Sequence, residues 1–252
     1  MAMLTAKQEL MLEKGWMNSA GALGFNPPLP YWQYQPPIAY VTPPLTEKAR
    51  PPAVNRKVMR FAGGVLLHNG GFNPGLRTAL KENTERWARS KIPVWVHLLL
   101  EDPHSAERML AQVETCSAVT VVEISLPQEW SAEQSAQILR SLRSDLPLVL
   151  RVPLNQMSEE WIKQAGAAGF CALTIGAPLG SLPDPHWGVL TGWLYGPALF
   201  PLALQTLLRW GDCGLPLILG CGLFREQDVI TALQQGAAAV QLDAILWQGG
   251  IF

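Results

Sequence analysis

Charge is scarce in this chain: Asp, Glu, Lys and Arg make up 15% of its 252 residues. Nineteen basic and twenty acidic side chains leave a formal charge of −1. That balance offers no basic field for nucleic acid or an anionic membrane. Cysteine is scarce too. Cys116, Cys171, Cys213 and Cys221 lack the paired spacing of a zinc site or a disulfide framework and read as free thiols of a cytoplasmic protein. The four histidines, His68, His97, His104 and His186, include no pair at ligand spacing, so no metal site is expected and no Ser/His/Asp set can be named. The N-terminus lacks the basic, apolar and small-residue succession of a signal peptide. Val189–Leu208 is apolar enough to suggest a membrane span, but Gly192, Gly196, Pro197 and Pro201 interrupt it. A strand followed by a helix starting near Pro197 accounts for it better.

Apolar residues are abundant, at 48%, and ten tryptophans imply a large core with some rings left for a contact surface. The length suits one (β/α)₈ barrel, a single domain over residues 1–252, with two smaller domains as the alternative. From Ile92 onward, strands and helices are expected to alternate. The strands are Val94–Leu99, Val119–Ser125, Leu148–Val152, Phe170–Ile175, Val189–Leu194, Leu217–Leu219 and Ala237–Leu242. Amphipathic stretches near 105–115, 131–144, 158–168, 197–210 and 227–235 separate them. Ser131 with Gln134 makes a capping box, and Ser158 precedes two acids in a first turn. The first ninety residues are looser. Asn18–Gly21 and Ala39–Thr42 supply two further strands, Pro27–Pro37 and Pro43–Pro52 are too proline-rich for helix interiors or central strands, and Gly63–Gly75 reads as a glycine-rich loop.

Leu215–Leu242 forms a strand, a glycine turn, a helix and a second strand. Its turn, Cys221-Gly222-Leu223, stands where barrel enzymes hold a cofactor phosphate. Two readings stay open for it: an anion cradle, or a turn that needs close backbone approach. Only nine residues follow Asp243. The barrel is therefore expected without its last outer helix, leaving apolar surface around Trp247 and Phe252 for the Thr5–Lys14 segment or another protein to cover.

Eight segments in order resemble the flavin-dependent dihydroorotate dehydrogenases: MNSAGALGF, VTPPLTEKARPP, GGVLLHNGGFNPG, VVEISLP, LPLVLRV, AGAAGFCALTI, YGPALFPLAL and the Leu215–Leu242 unit. The resemblance spans nearly the whole chain. It implies a (β/α)₈ barrel with flavin mononucleotide (FMN) at the C-terminal ends of its strands. The cofactor-binding positions it assigns are Ala20, Gly21, Arg151, Gly196, Cys221 and Gly222.

The same resemblance exposes what has been replaced. Asparagines of the family that hold orotate correspond to Leu67, Glu123, Gln128 and Thr174. The loop that should carry the catalytic cysteine or serine, Leu126 to Trp130, offers no base except Glu129, so no catalytic residue is assigned. Two lysines at the flavin ring correspond to Pro43 and Arg151, and the closing Gly-Thr at the phosphate to Asp243-Ala244. A carboxylate ~4 Å from a phosphate, at an effective dielectric near 20, costs about 4 kcal/mol per charge pair. These residues point to a barrel without flavin or orotate chemistry, serving as a structural or accessory subunit that associates through Trp247 and Phe252. An FMN oxidoreductase with an altered substrate is the alternative. Asp243 can instead cap a terminus or pair with Arg225 or Arg151, and Glu123 can pair with Arg151 in the barrel mouth. His97 is expected to be a satisfied core residue and His68 to face the mouth; His104 and His186 fall in loops.

Overall fold

The computed structural model describes residues 10–25, 36–127 and 130–248. Eight short strands form one parallel sheet: β1 (Trp16–Asn18), β2 (Tyr40–Val41), β5 (Val94–Leu99), β6 (Val119–Ser125), β7 (Leu148–Pro153), β8 (Ala172–Gly176), β11 (Leu217–Gly220) and β12 (Ala239–Leu242). Their order is β1-β12-β11-β8-β7-β6-β5-β2. The Met17–Ala39 bridge and the bond from Ile38 N to Trp16 O (2.9 Å) join the two ends into a closed barrel. β8, β11 and β12 are buried at every position, so they read as continuous apolar runs.

Outer helices follow the strands: α1 (Leu76–Ala88), α2 (Pro103–Glu114), α3 (Ala132–Ser141), α4 (Glu159–Ala168), α5 (Phe200–Trp210) and α6 (Glu226–Gln234). The expected capping box is present, with Ser131 Oγ accepting from Gln134 N (3.2 Å) and Gln134 Oε1 from Ser131 N (2.9 Å). A short 3₁₀ turn, Pro197–Leu199, leads into α5, which matches the expected break at Pro197. Another 3₁₀ turn, Ala244–Gln248, follows β12.

Three expectations need correction. The helix α1 was missed, although Leu76, Ala79, Asn83 and Trp87 put one buried face at helical spacing. His104 lies within α2 and not in a loop. Val189–Leu194 is not a barrel strand: it belongs to β10 (Gly188–Tyr195), which pairs antiparallel with β9 (Leu179–Asp184) and β4 (Gly64–His68). With β3 (Lys57–Phe61) these make a second, four-stranded sheet of order β3-β4-β10-β9. Most of the supposed glycine loop 63–75 is therefore β4 and its turn. β10 alternates exposed and buried positions, as a sheet with one wet face does, and that alternation separates it from the barrel strands. The two hairpins emerge after β2 and β8, at the C-terminal ends of the barrel strands, and roof the mouth.

The glycine turn after β11 is a close-packed joint. Gly222 has φ 81°, and a methyl group built there would lie 2.5 Å from Phe200 N at the start of α5. Gly214 has the same backbone (φ 82°) with nothing within 4 Å. Gly214→Ala should therefore cost about 1–2 kcal/mol for the left-handed backbone alone, and Gly222→Ala about 1–3 kcal/mol more for overlap. Urea unfolding of the two variants measures the difference, and equal losses would remove the Phe200 contact from the account.

Candidate functional site at the barrel mouth

The interior of the barrel is built in tiers by the two-residue period of its strands. The lower tier is apolar and takes one residue from each strand: Met17, Val41, Trp95, Val121, Val149, Ala172, Ile218 and Ala239. Two residues further along each strand, the inward positions turn polar. They become Ser19, His97, Glu123, Arg151, Thr174 and Gln241, with Pro43 and Gly220 completing the ring.

Glu123 is the hub of this upper tier. Its side chain is fully buried, and its oxygens accept from His97 Nδ1 (2.6 Å), Thr174 Oγ1 (2.7 Å) and Gln241 Nε2 (2.7 Å). Arg151 Nη1 stands 3.9 Å away and donates to Gln241 Oε1, while Nη2 donates to Ser19 Oγ (3.0 Å). Gly176 makes room for this guanidinium, since a methyl there would be 2.7 Å from Arg151 Nε. Burial pushes the Glu123 carboxyl up, but the His97 hydrogen bond and the Arg151 charge outweigh it and hold it at about 2. The expected Glu123–Arg151 pairing is present, and His97 is buried as expected with its Nδ1 bonded to Glu123. Gln241 and Ser19 were not foreseen; a lone glutamine inside the apolar run of β12 was the available signal.

Above this tier lie two adjoining cavities of about 330 and 170 Å³, sharing Arg151, Leu67, Asn69, Leu99, Ser125 and Trp193 among their walls. Ala20, Gly21, Pro43 and His97 line the smaller, inner one, and Arg50, His68 and Pro153 the outer one. His68 faces the mouth as expected, with its ring nitrogens on Thr191 O (2.6 Å) and Asn55 Oδ1 (2.9 Å). Gln128 and Glu129 lie outside the described residues. Among the described residues no group of three or more His, Cys, Asp or Glu could hold a metal ion, and no helix is long and apolar enough to cross a membrane.

Three of the six expected cofactor positions line the inner cavity. Ala20, Gly21 and Arg151 face the inner cavity, whereas Gly196, Cys221 and Gly222 line neither cavity. A methyl on Gly196 would meet Gly63 O at 2.5 Å, and the Cys221 side chain is sealed, its thiol pushed well up by burial. Asp243 is 1% exposed and pairs with neither Arg225 nor Arg151; Arg225 is bound to Asp228 instead. Asp243 Oδ1 caps its own turn by accepting from Ala244 N, and among the described residues Oδ2 has no hydrogen-bond partner. Burial raises its carboxyl to about 7, against the opposing pull of Ala244 N–H and Arg151. A phosphate needs open, converging donors. An orphan carboxylate oxygen beside closed glycine turns does not fit one.

Trp247 adds to this closure. Its Nε1 donates to Ala22 O (2.9 Å), and its ring packs edge-on against Tyr195 at 5.2 Å. It thereby ties the loop carrying Ala20 and Gly21 to the strand end that precedes Gly196. Trp247 remains 44% exposed; Phe252 lies outside the described residues.

Fold and site together define a (β/α)₈ barrel with a roofed mouth above a polar tier centred on Glu123. The chain is similar, at low identity, to the dihydroorotate dehydrogenases. It is 25% identical over 252 residues to the dihydroorotate dehydrogenase B (NAD(+)) catalytic subunit of Desulforudis audaxviator, covering 92% of this chain and 82% of that one. To the catalytic subunit of Pelobacter propionicus it is 24% identical over 255 residues, covering 92% and 84%. A crystal structure of DHODH in complex with ferulenol from Eimeria tenella superposes with a TM-score of 0.67 at 12% identity, over 92% of this chain and 76% of that one, and supports the fold. No family model matches the chain.

The Asp243 environment has a pH signature. An aspartate that titrates at 3.8 when unfolded and about 7 when folded takes up a proton on folding between those values. Its contribution to stability is full below the lower value and lost as pH rises through the higher one, at about 1.4 kcal/mol per pH unit between them. Asp243→Asn keeps an acceptor for Ala244 N and removes this titration. It should be more stable than the parent above pH ~7 and lose that advantage towards pH ~4. A stability gap that does not vary with pH would count against the buried, raised carboxyl.

Proposed function

We propose that this chain is a dihydroorotate dehydrogenase-like barrel that has given up flavin and orotate chemistry and acts as a structural or accessory subunit of a protein complex. The observation that carries this reading is the phosphate end, where sealed glycine turns and the orphan Asp243 Oδ2 replace open donors. The mouth supports it as well. Leu67 and Pro43 offer no donor at orotate- and flavin-facing positions, and Arg151 is already committed to Gln241, Ser19 and Glu123. Losing several buried donors together removes specificity for a polar planar substrate. Four free cysteines are consistent with a reducing, cytoplasmic setting.

The relatives are named as catalytic subunits, which supports a place for this barrel within an assembly. We assign the association surface to the C-terminal segment around Trp247, with Phe252 beyond it. The second reading, an FMN oxidoreductase with an altered substrate, draws on Ala20, Gly21 and Arg151, which still face one cavity.

Visible absorption of the purified protein separates the two readings. A colourless protein that stays colourless after incubation with FMN and gel filtration is expected. A yellow protein with stoichiometric flavin overturns the first reading in favour of the second. For association, sedimentation should show an oligomer or a complex that is lost on truncation after Asp243. A monomer whose behaviour the truncation does not change removes the C-terminal segment from the proposal.

A further inference from the structure

The inner cavity has a feature that the loss of flavin chemistry does not explain. His97 is almost completely buried, with 3% of its side chain exposed, and lines this cavity. Its Nδ1 is fixed on Glu123. An ionised carboxylate only accepts, so Nδ1 carries a proton, and the tautomer this selects has its lone pair on Nε2. Among the described residues no group meets Nε2, and that atom is absent from those sealed without a partner. It therefore opens on the cavity as a positioned acceptor held from behind by a carboxylate.

The rest of the wall limits what can meet that acceptor. The cation beside it is spoken for: Arg151 is balanced by Glu123 and shared between Gln241 and Ser19. Glu123, bonded to the back of the His97 ring, opposes a second negative charge. Leu67, Leu99 and Trp193 supply apolar surface, and Ser125 lies one step beyond Glu123 on the same face of β6. At about 170 Å³ the inner cavity is smaller than the ~300–1,000 Å³ of drug-sized pockets, which favours an occupant of one ring or fewer.

We propose that the inner cavity is a binding site for a small uncharged molecule with one hydroxyl donor, of the phenol or short-chain alcohol class, which gives its hydrogen bond to His97 Nε2 and lays its apolar body against Leu67, Leu99 and Trp193. The proposal rests on the reading that flavin does not fill the mouth. It differs from the ancestral site in charge: an anionic substrate is rejected and a neutral one accepted. Glu123 acts as a positioning residue, setting the tautomer that makes Nε2 an acceptor.

The test is calorimetric titration of the full chain with phenol at about pH 8. Anisole, which has the ring without the donor, and benzoate, which has the ring with a charge, are the comparison probes. Phenol should bind at one site and quench tryptophan fluorescence through Trp193, with anisole and benzoate each at least tenfold weaker. His97→Phe should remove the preference for phenol over anisole. Because that change leaves Glu123 short of a partner and can cost folding, Leu67→Trp provides a second variant. It fills the cavity from the roof and should abolish phenol binding with circular dichroism and thermal midpoint unchanged. The proposal is overturned by no phenol heat up to ~10 mM, a range that reaches well past millimolar dissociation constants. Anisole or benzoate binding as well as phenol overturns it too, as does phenol binding that survives Leu67→Trp. Flavin uptake, followed separately by visible absorption, would overturn the flavin-free reading and leaves its own signature.

Discussion

A carboxylate enclosed by eight apolar strands must be neutralised and hydrogen-bonded, or the barrel cannot close around it. Glu123 meets that demand with three donors and a nearby guanidinium, drawn from β5, β7, β8 and β12. Only β7 and β8 among these four are direct neighbours in the sheet, so one side chain links strands from both sides of the barrel. Hydrogen bonds to a charged group are worth roughly 1.5–3 kcal/mol each, and a buried charge left short of partners costs as much or more. The tier thus sets strand register while it fills the volume that a substrate pocket would otherwise open into.

The same network bears on the proposed loss of flavin and orotate chemistry at the mouth. Arg151 lines both cavities, but its guanidinium is already hydrogen-bonded to Gln241 and Ser19 and lies beside Glu123, under the roof of β3, β4, β9 and β10. At the other end of the expected cofactor path, Gly196 and Gly222 are retained, yet their missing side chains leave space used by neighbouring backbone. A glycine kept for packing looks the same in sequence as one kept for phosphate. Trp247 closes the gap between these regions through Ala22 O and Tyr195.

Seven of the eight barrel strands and the helices after Ile92 were legible because both-face burial gives unbroken apolar runs and outer helices give amphipathic ones. β1 was placed two residues late, since Trp16–Asn18 is a three-residue strand beside a short polar turn. The roof sheet was not legible. β10 looked like another barrel strand, and β3 and β9 contain Lys57, Arg60, Ser181 and Pro183, which do not form an apolar run. Of the site, Glu123, Arg151, Thr174 and His97 stood out as polar residues in apolar strands. Gln241 did not, and neither did the direction in which Asp243 points.

By itself the sequence determined the class of fold and the ancestry, because strand and helix periodicity and the order of eight segments are local properties carried along the chain. It also set the expectation that Leu67, Glu123 and Thr174 stand where the resemblance places orotate-holding asparagines, since that is a matter of residue type. Only the tertiary structure decided what the surviving polar residues do. Burial, partner and direction depend on strands far apart in sequence, and they turn Glu123 and Arg151 into a self-satisfied core, Asp243 into a sealed acid, and His97 into an acceptor facing a small cavity.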